Sequence, residues 1–424
     1  MAPLPLIRYL LLSLPLFLPF AQAKFVLFGF PLYLIELPVL LAALLFLRGI
    51  RSRKIEWKRF SSFETYVFFA ASLFFLGAIL SFLHNPFSLT GLGMLKTWFF
   101  FPLLFVFFMT QMEWGEENRE KLFLLWLGST GVIGIGALVF LLTGQLTYDG
   151  RLTGWYASPN YLAVALAPGA LIALYFLLIR KRDDPLAWRD LSLGALLILF
   201  LVLLFFTHSY GAWGALFLSS LALIFSMFHS HFSQEKKQWI LPSLLAVLGM
   251  LTFFSIELNS GSEKWRGLLS FEERSSLRSR VMIWESAGKM IADEPFFGIG
   301  PGRFQAAYLE YQKYFSPYLE WAVPEPHNLY LAVWLSTGLF GLAGFLLLVY
   351  FVLRHLWEHL RKQKEITSAL LPLALLLFYL LYGLLDTPYF KTDLAFSFWL
   401  LIALILSYKL KELPTGAQKE KAHL

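Results

Sequence analysis

The chain has 424 residues, of which 58% are hydrophobic and 15% charged, and it contains no cysteine. A soluble domain carries about 25% charged residues, so this composition excludes a soluble domain, a disordered chain and a protein that binds nucleic acid through a basic surface. Without cysteine there are no disulfides, thiol nucleophiles or cysteine-ligated metal ions. With 35 basic and 28 acidic residues, the formal net charge is +7.

Apolar runs between clusters of charge predict twelve transmembrane helices, because a bilayer core about 30 Å thick needs roughly 20 apolar residues per helical crossing. The predicted spans lie near residues 5–23, 25–47, 62–84, 92–111, 122–143, 159–179, 191–207, 211–228, 239–256, 328–352, 368–386 and 394–409. The first is the weakest, since Arg8, a short apolar run and Ala21-Gln22-Ala23 also fit a cleavable signal peptide. We expect an all-α polytopic membrane protein.

The basic residues of the short loops predict its orientation. One set of loops holds 22 Lys and Arg, and the opposite set holds only Lys24, Lys96, Arg151 and Lys391. Basic loops stay in the cytoplasm, so both termini are expected there. The predicted divisions are helices one to nine over 1–256, a large periplasmic loop over 257–327, helices ten to twelve over 328–409, and a cytoplasmic tail over 410–424.

The large loop contains a pattern typical of a surface helix. Apolar or small residues recur at alternating spacings of four and three, and Pro295 ends the pattern. The members of this stripe are Leu277, Val281, Trp284, Gly288 and Ile291. Arg280 falls closer to the centre of the stripe than Arg278 does, so Arg280 is expected to be partly buried. A glycine-rich turn follows over 297–302.

Polar residues at the outer ends of two spans indicate a site for an anion. Ser158-Pro159-Asn160 and Pro326-His327-Asn328 both place proline near a helix start, where unpaired N–H groups favour negative charge. Arg151, Arg278 and Arg280 are predicted to lie on the same face. Each signal has a simpler explanation, namely a surface arginine, an interfacial histidine or a solvated helix face. Together they predict a pyrophosphate site with a base nearby.

Several motifs resemble the O-antigen ligase and polymerase superfamily. They are SRVMIWESA at 279–287, DEPFFGIGPGRF at 293–304, HNLYL at 327–331, TGLFGL at 337–342, and upstream RLTG at 151–154 followed by PNYLA at 159–163. By motif the resemblance covers about 150–345, and by topology the whole chain. The combination is specific for the superfamily and poor at separating its members.

The resemblance implies a bacterial inner-membrane glycosyltransferase that needs no metal or cofactor. Its GT-C-like fold would have about twelve helices and one large periplasmic helical loop. It would take a glycan from an undecaprenyl-pyrophosphate carrier at the periplasmic face, among membrane lipids, with lipid A core or another glycan as acceptor. By position, Arg151 and Arg280 would hold the pyrophosphate, and His327 would assist the acceptor hydroxyl. These three residues are the predicted catalytic set.

One departure concerns the turn between spans seven and eight. Family members often have Ser-Arg-Gly there, whereas this chain has Ser209-Tyr210-Gly211 preceded by His208. The phosphate contact expected at this turn is therefore in doubt, and Arg278 or Arg303 is expected to replace it. The candidate substrate-binding residues are Arg278, Arg303, Asn160, Asn328, Tyr210 and His208.

Three alternatives stay open at this point. The protein could be a polymerase of the same superfamily, a non-catalytic assembly partner, or a transporter, for example of bicarbonate or glycan lipids. Ion-coupled transporters usually keep ionisable residues near mid-membrane and show repeated halves. Here the span interiors are nearly free of charge, Glu36 being the main exception. The sequence therefore favours an enzyme over a transporter and leaves the acceptor undetermined.

Overall fold

The structure is a computed structural model that describes residues 3–27, 30–179, 188–231, 276–315, 323–362 and 367–408. It consists mainly of helices. They are α1 (Pro3–Ser13), α2 (Leu37–Arg51), α3 (Ser62–His84), α4 (Leu89–Met94), α5 (Phe101–Thr110), α6 (Glu116–Leu142), α7 (Pro159–Leu178), α8 (Trp188–Thr207), α9 (Tyr210–His231), α10 (Ser276–Asp293), α11 (Phe304–Tyr311), α12 (Leu329–Lys362), α13 (Thr367–Tyr382) and α14 (Thr392–Leu406).

Within the described residues, seven helices are long and apolar enough to cross a membrane. They are Ser62–His84, Leu89–Thr110, Glu116–Leu142, Pro159–Leu178, Trp188–Thr207, Tyr210–Met227 and Leu329–Arg361, and the shorter apolar helices are Leu4–Phe20, Ala369–Tyr382 and Thr392–Leu406. The chain is therefore a helical multi-pass membrane protein, as its composition predicts. The predicted ninth span at 239–256, parts of the predicted loop at 257–275 and 316–322, and the tail at 410–424 lie outside the described residues.

The second predicted span, 25–47, is wrong in its first half, where the chain forms a small sheet. Strands β1 (Lys24–Leu27) and β2 (Phe30–Tyr33) pair antiparallel, with Val26 opposite Pro31. Helix α2 starts only at Leu37. Pro31 lacks the N–H group that a helix interior requires, but at the edge of a two-stranded sheet this group is not needed. The other elements of the described chain are helices, which agrees with the all-α class.

Small residues allow α3 and α12 to pack closely. A Cβ atom on Gly77 would lie 2.3 Å from the backbone nitrogen of Gly341, and one on Gly344 would lie 2.3 Å from that of Phe74. Lipid supplies no hydrophobic force between helices, so close backbone packing of this kind stabilises membrane bundles. The main core continues from this contact through the rest of the bundle.

Helix α12 is broken at Gly338, whose backbone has φ 66° and ψ −174°. At the break, the N–H of Ile299 donates to the Leu335 carbonyl at 2.8 Å, and the N–H of Leu339 donates to the Phe296 carbonyl at 3.0 Å. The segment before the break packs in a second core together with α10 and α11. The buried residues of this second core are Met282, Ile283, Ala287, Met290, Ile291, Ile299, Phe304, Tyr308, Val323 and Leu335. Backbone hydrogen bonds thus connect the glycine-rich turn at 297–302, and Phe296 just before it, to α12 at its break.

We expect Gly338→Ala to destabilise the protein strongly. A Cβ atom at this position would lie 2.1 Å from the Phe296 carbonyl oxygen, in a conformation that L residues rarely adopt. Backbone strain of this kind costs about 1–3 kcal/mol, and the clash adds to it. Thermal unfolding in detergent measures the effect. Gly288→Ala on α10 is the control, since a Cβ atom there meets nothing within 4 Å, and equal stability of the two variants would contradict the expectation.

The predicted helix in the large loop is confirmed as α10, but its buried face differs from the predicted stripe. Val281 is 42% exposed, whereas Met282, Ile283, Ala287 and Met290 are buried. The reason is that α11 and the first part of α12 pack against this other face. As predicted from the wheel, Arg280 is half-buried while Arg278 is exposed.

Candidate active site

Four loops of the bundle converge at one end of it. The loop before α7 meets the end of α8, because the N–H of Leu152 donates to the Phe206 carbonyl at 2.8 Å. The start of α12 meets the loop after α13, because the N–H of Leu329 donates to the Gly383 carbonyl at 2.7 Å. Ser158 caps α7 by accepting from the N–H of Asn160 at 3.3 Å. The two helix starts singled out in the sequence therefore lie among these loops.

His327 forms a pair with Asp386. The Nδ1 atom of His327 lies 3.2 Å from Oδ1 of Asp386, and the N–H of Thr387 donates to the same oxygen at 2.8 Å. The side chain of Asp386 is 3% exposed and that of His327 is 29% exposed. A buried carboxylate favours the tautomer with the proton on Nδ1. That tautomer leaves Nε2 as the proton-accepting nitrogen, on a side chain that substrate can reach.

Asn160 connects this pair to Arg151. Its Nδ2 donates to Oδ2 of Asp386 at 2.6 Å, and its Oδ1 accepts from Nη2 of Arg151 at 2.9 Å. The hydroxyl of Tyr382 also donates to Oδ2 of Asp386, at 3.3 Å. A continuous chain of hydrogen bonds therefore runs from His327 through Asp386 and Asn160 to Arg151.

Arg151 is a largely buried cation whose shortest contacts are to neutral groups. Its strong hydrogen bonds go to neutral groups, with Nε donating to the Thr207 carbonyl at 2.8 Å and Nη2 donating to Asn160. Its nearest described carboxylate, Asp149, lies 3.9 Å away and is more exposed. Burial lowers the pKa of Arg151, but arginine stays charged at any physiological pH. A buried cation with mostly neutral partners attracts an anion.

Helix α10 brings two further side chains to the site. The charge of Arg280 acts on His327, Asp386 and Arg151. One turn later, the indole N–H of Trp284 donates to the carbonyls of Pro326 at 3.0 Å and His327 at 3.4 Å. The same helix therefore supplies a cation and holds the backbone of the histidine. In the part of the chain that the structure describes, no three His, Asp or Glu residues are grouped to hold a metal ion.

The pKa values of the pair shift in opposite directions. Burial lowers the pKa of His327, but the charge and hydrogen bond of Asp386 raise it above the ordinary 6.5. Burial raises the pKa of Asp386, but His327, Arg280 and the Thr387 N–H together lower it to about 2. Asp386 is thus ionised at every physiological pH and stabilises a protonated His327.

Two histidines here have left-handed backbone conformations. His327 and His208 both have φ 49°, a conformation that few residues other than glycine adopt. A conformation of this kind costs about 1–3 kcal/mol and persists only where the surroundings hold it. At His208 the turn also brings the Thr207 carbonyl to Arg151 and the Ser209 hydroxyl to within 3.5 Å of the Tyr382 hydroxyl.

The remaining candidate substrate-binding residues have mainly structural contacts. Asn328 caps α12, accepting from the N–H groups of Tyr330 at 3.0 Å and Leu331 at 3.1 Å. Arg303 donates to the Pro86 carbonyl at 3.1 Å, on the loop after α3. Tyr210 begins α9, and Arg278 is an exposed residue of α10. The contacts of Asn160, unlike these, place it at the centre of the site.

Sequence reasoning missed Asp386. It lies just after the apolar helix α13, 59 residues from His327 along the chain, and no motif names it. A signal was present, because a carboxylate directly after an apolar run and before Thr387-Pro388 is costly unless it is paired. Its partner could not be deduced from spacing.

A comparison with known families supports the resemblance. Residues 195–346 match the model of a family described as O-antigen ligase, which confirms the resemblance seen in the motifs. The matched range contains Arg280 and His327. Asp386, Asn160 and Arg151 lie outside it, and the hydrogen bonds described above connect them to His327. A search of curated proteins finds no match. The segment from residue 195 to 346 is therefore similar to an O-antigen ligase domain, and this match supports the O-antigen ligase and polymerase superfamily.

Proposed function

We propose that this protein transfers a glycan from an undecaprenyl-pyrophosphate carrier to a sugar hydroxyl. The observation that carries the proposal is the chain of hydrogen bonds from His327 through Asp386 and Asn160 to Arg151, with the charge of Arg280 beside it. A base and two arginines around one end of the bundle suit a reaction in which a hydroxyl loses a proton and a pyrophosphate departs.

In the proposed reaction His327 acts as the general base. Its Nε2 accepts the proton of the acceptor hydroxyl while the oxygen attacks the anomeric carbon of the donor. The bond from that carbon to the pyrophosphate oxygen breaks, and the pyrophosphate keeps the electron pair. Attack opposite the leaving group inverts the anomeric centre. Asp386 stabilises the imidazolium that forms, as a buried carboxylate does for histidine in other acyl- and group-transfer sites.

The arginines stabilise the leaving group. Negative charge grows on the pyrophosphate as the bond breaks, and guanidinium groups that are already in place lower the energy of that state. Arg151 is held by Asn160 and the Thr207 carbonyl, so its orientation requires no rearrangement during the reaction. Arg280 lies on α10, and its charge acts on His327, Asp386 and Arg151. No metal is needed for this stabilisation.

We place the reaction at the periplasmic face of a bacterial inner membrane. The charge count supports this, because the loops that carry Arg151 and Lys391 belong to the set with only four basic residues. The site lies beside α10, in the segment 257–327 that the same count assigns to the periplasm. On this assignment both termini are cytoplasmic. Nine helices over 1–256 precede the periplasmic loop over 257–327, and three helices over 328–409 follow it, as a GT-C-like fold implies.

A transfer assay tests the proposal. Purified protein in lipid nanodiscs is incubated with a synthetic undecaprenyl-pyrophosphate oligosaccharide and either lipid A core or a second carrier-linked glycan. We expect a product of inverted anomeric configuration and one free undecaprenyl pyrophosphate per transfer, without an ion gradient. The acceptor that is used separates a ligase from a polymerase.

The control is Lys289→Gln, which removes an exposed charge paired with Asp293 at 2.8 Å on α10, the same helix that carries Arg280. It should transfer as the wild type does. An intact donor after incubation with folded protein and both acceptors would refute the proposal, and movement of the donor across the membrane with its bond unbroken would favour the transporter.

A further inference from the structure

A second polar cluster lies directly beside the histidine–aspartate pair. Oε1 of Glu325 lies 3.2 Å from Nζ of Lys391, and Oε2 accepts from the hydroxyl of Thr387. Nζ of Lys391 also lies over the ring of Tyr161, 4.7 Å from its centre. We call Glu325, Thr387 and Lys391 the clamp.

The clamp joins the three chain segments that carry His327, Asp386 and Asn160. We call His327 and Asp386 the dyad. Glu325 lies two residues before His327, and Thr387 directly follows Asp386. Through Tyr161, which follows Asn160, Lys391 also contacts the start of α7. Segments that are remote in the chain are thus tied together next to the reacting groups.

Thr387 contacts both Glu325 of the clamp and Asp386 of the dyad. Its backbone N–H donates to Oδ1 of Asp386 at 2.8 Å, and its side-chain hydroxyl donates to Glu325. The oxygen of Asp386 that receives this N–H is the one that faces His327. A shift of Thr387 therefore moves the carboxylate relative to the imidazole.

Burial makes the clamp costly unless its groups are paired. Glu325 is only 8% exposed, and a buried carboxylate is expensive in free energy without a partner and hydrogen bonds. Lys391 and Thr387 supply them. The left-handed backbone of His327, at φ 49°, also requires its surroundings to hold it in place. The ion pair ties the loop before α12 to the residue before α14.

We propose that Glu325, Thr387 and Lys391 are positioning residues, which act through the dyad by holding His327 and Asp386 at bonding distance. This inference rests on the proposed function for its kinetic readout. Two conservative variants test it. Thr387→Val removes the hydroxyl and changes no charge, whereas Thr387→Ser retains the hydroxyl.

The expected result is kinetic. Thr387→Val should lower kcat for transfer by about 10- to 100-fold, because displacement of a catalytic group by about 1 Å costs up to about 10²-fold. The KM for the donor should stay within about 2-fold, since the arginines are unchanged, and Thr387→Ser should recover most of kcat. A kcat per folded molecule equal to wild type in Thr387→Val would overturn the proposal.

A second readout needs no glycan. The imidazole of His327 is titrated by NMR in wild type, Thr387→Val and Thr387→Ser, with His327→Gln identifying its signal. The charged groups that act on this imidazole are Asp386, Arg280 and Glu325, and the valine variant keeps all of them. The His327 titration should move down towards 6.5 in the valine variant and stay in place in the serine variant.

The two readouts separate the possible failures. If wild type transfers no glycan, the proposed function falls, while the titration still decides whether the clamp holds the dyad. If the valine variant melts at a lower temperature but titrates as wild type, the clamp only stabilises the fold and the positioning role is refuted.

The ion pair is tested by its coupling. Lys391→Met and Glu325→Gln should each lower kcat, and the double variant should be no slower than the slower single variant, because both remove one shared interaction. The matched control is Lys121→Met, which removes an exposed ion pair with Glu117 at 2.6 Å and should leave kcat unchanged. Fully additive losses at 325 and 391 would refute a shared clamp.

Discussion

We expect glycan transfer to fall by about 10²–10⁴-fold in His327→Gln, the loss typical of a missing general base, while the donor binds with unchanged affinity. Glutamine fills similar space and its amide N–H can still donate a hydrogen bond to Asp386, but it cannot take up a proton. The measurement is single-turnover transfer together with donor affinity, both in nanodiscs. His84→Gln is the matched control, because His84 is a half-exposed histidine that lies 3.4 Å from Glu294.

The pH dependence of wild type follows from the same pair. A base must be neutral to accept a proton, and Asp386 raises the pKa of His327 above 6.5. The rate should therefore rise with pH through a value above 6.5 and level off beyond it. Asp386→Asn removes the charge that raises this pKa, so the rising limb should move to lower pH. A His327→Gln variant that transfers normally at neutral pH would end the assignment of a base.

Arg280→Lys and Arg151→Lys are each expected to lower kcat by about 10²-fold, the effect of losing one charge-stabilising donor. A lysine keeps the charge but presents no planar fork. At position 151 it cannot reach both the Thr207 carbonyl and Asn160, which the guanidinium contacts at 2.8 and 2.9 Å. Rates and donor KM are measured together, since loss of ground-state binding alone would raise KM and leave kcat unchanged.

The control for the arginine series is Arg189→Lys. Arg189 is exposed and pairs with Glu120 at 3.3 Å, away from the site. Its replacement should leave the rate as it is. Full activity in both Arg280→Lys and Arg151→Lys would show that any positive charge suffices at these positions. It would refute a contact in which one guanidinium group donates two hydrogen bonds to the pyrophosphate.

The sequence alone determined most of the helices. The spans predicted at 62–84 and 159–179 appear as Ser62–His84 and Pro159–Leu178. The reason is physical, because a bilayer requires apolar runs of a certain length, and Ser61 and Ser158 mark the helix starts by accepting N–H groups of the first turn. The motifs also predicted the superfamily and placed His327, Arg151 and Asn160 at outer helix starts.

Only the tertiary structure decided how these residues meet. Hydropathy cannot show that an apolar run forms paired strands at 24–27 and 30–33, or that α12 breaks at Gly338 where another segment's carbonyl approaches it. Asp386 and Thr387 follow an ordinary apolar span, and their roles depend on which helix ends lie side by side. Packing between helices decides which helix ends are neighbours, and this packing leaves no periodic pattern in the sequence. The partner of His327 therefore appears only in the folded chain.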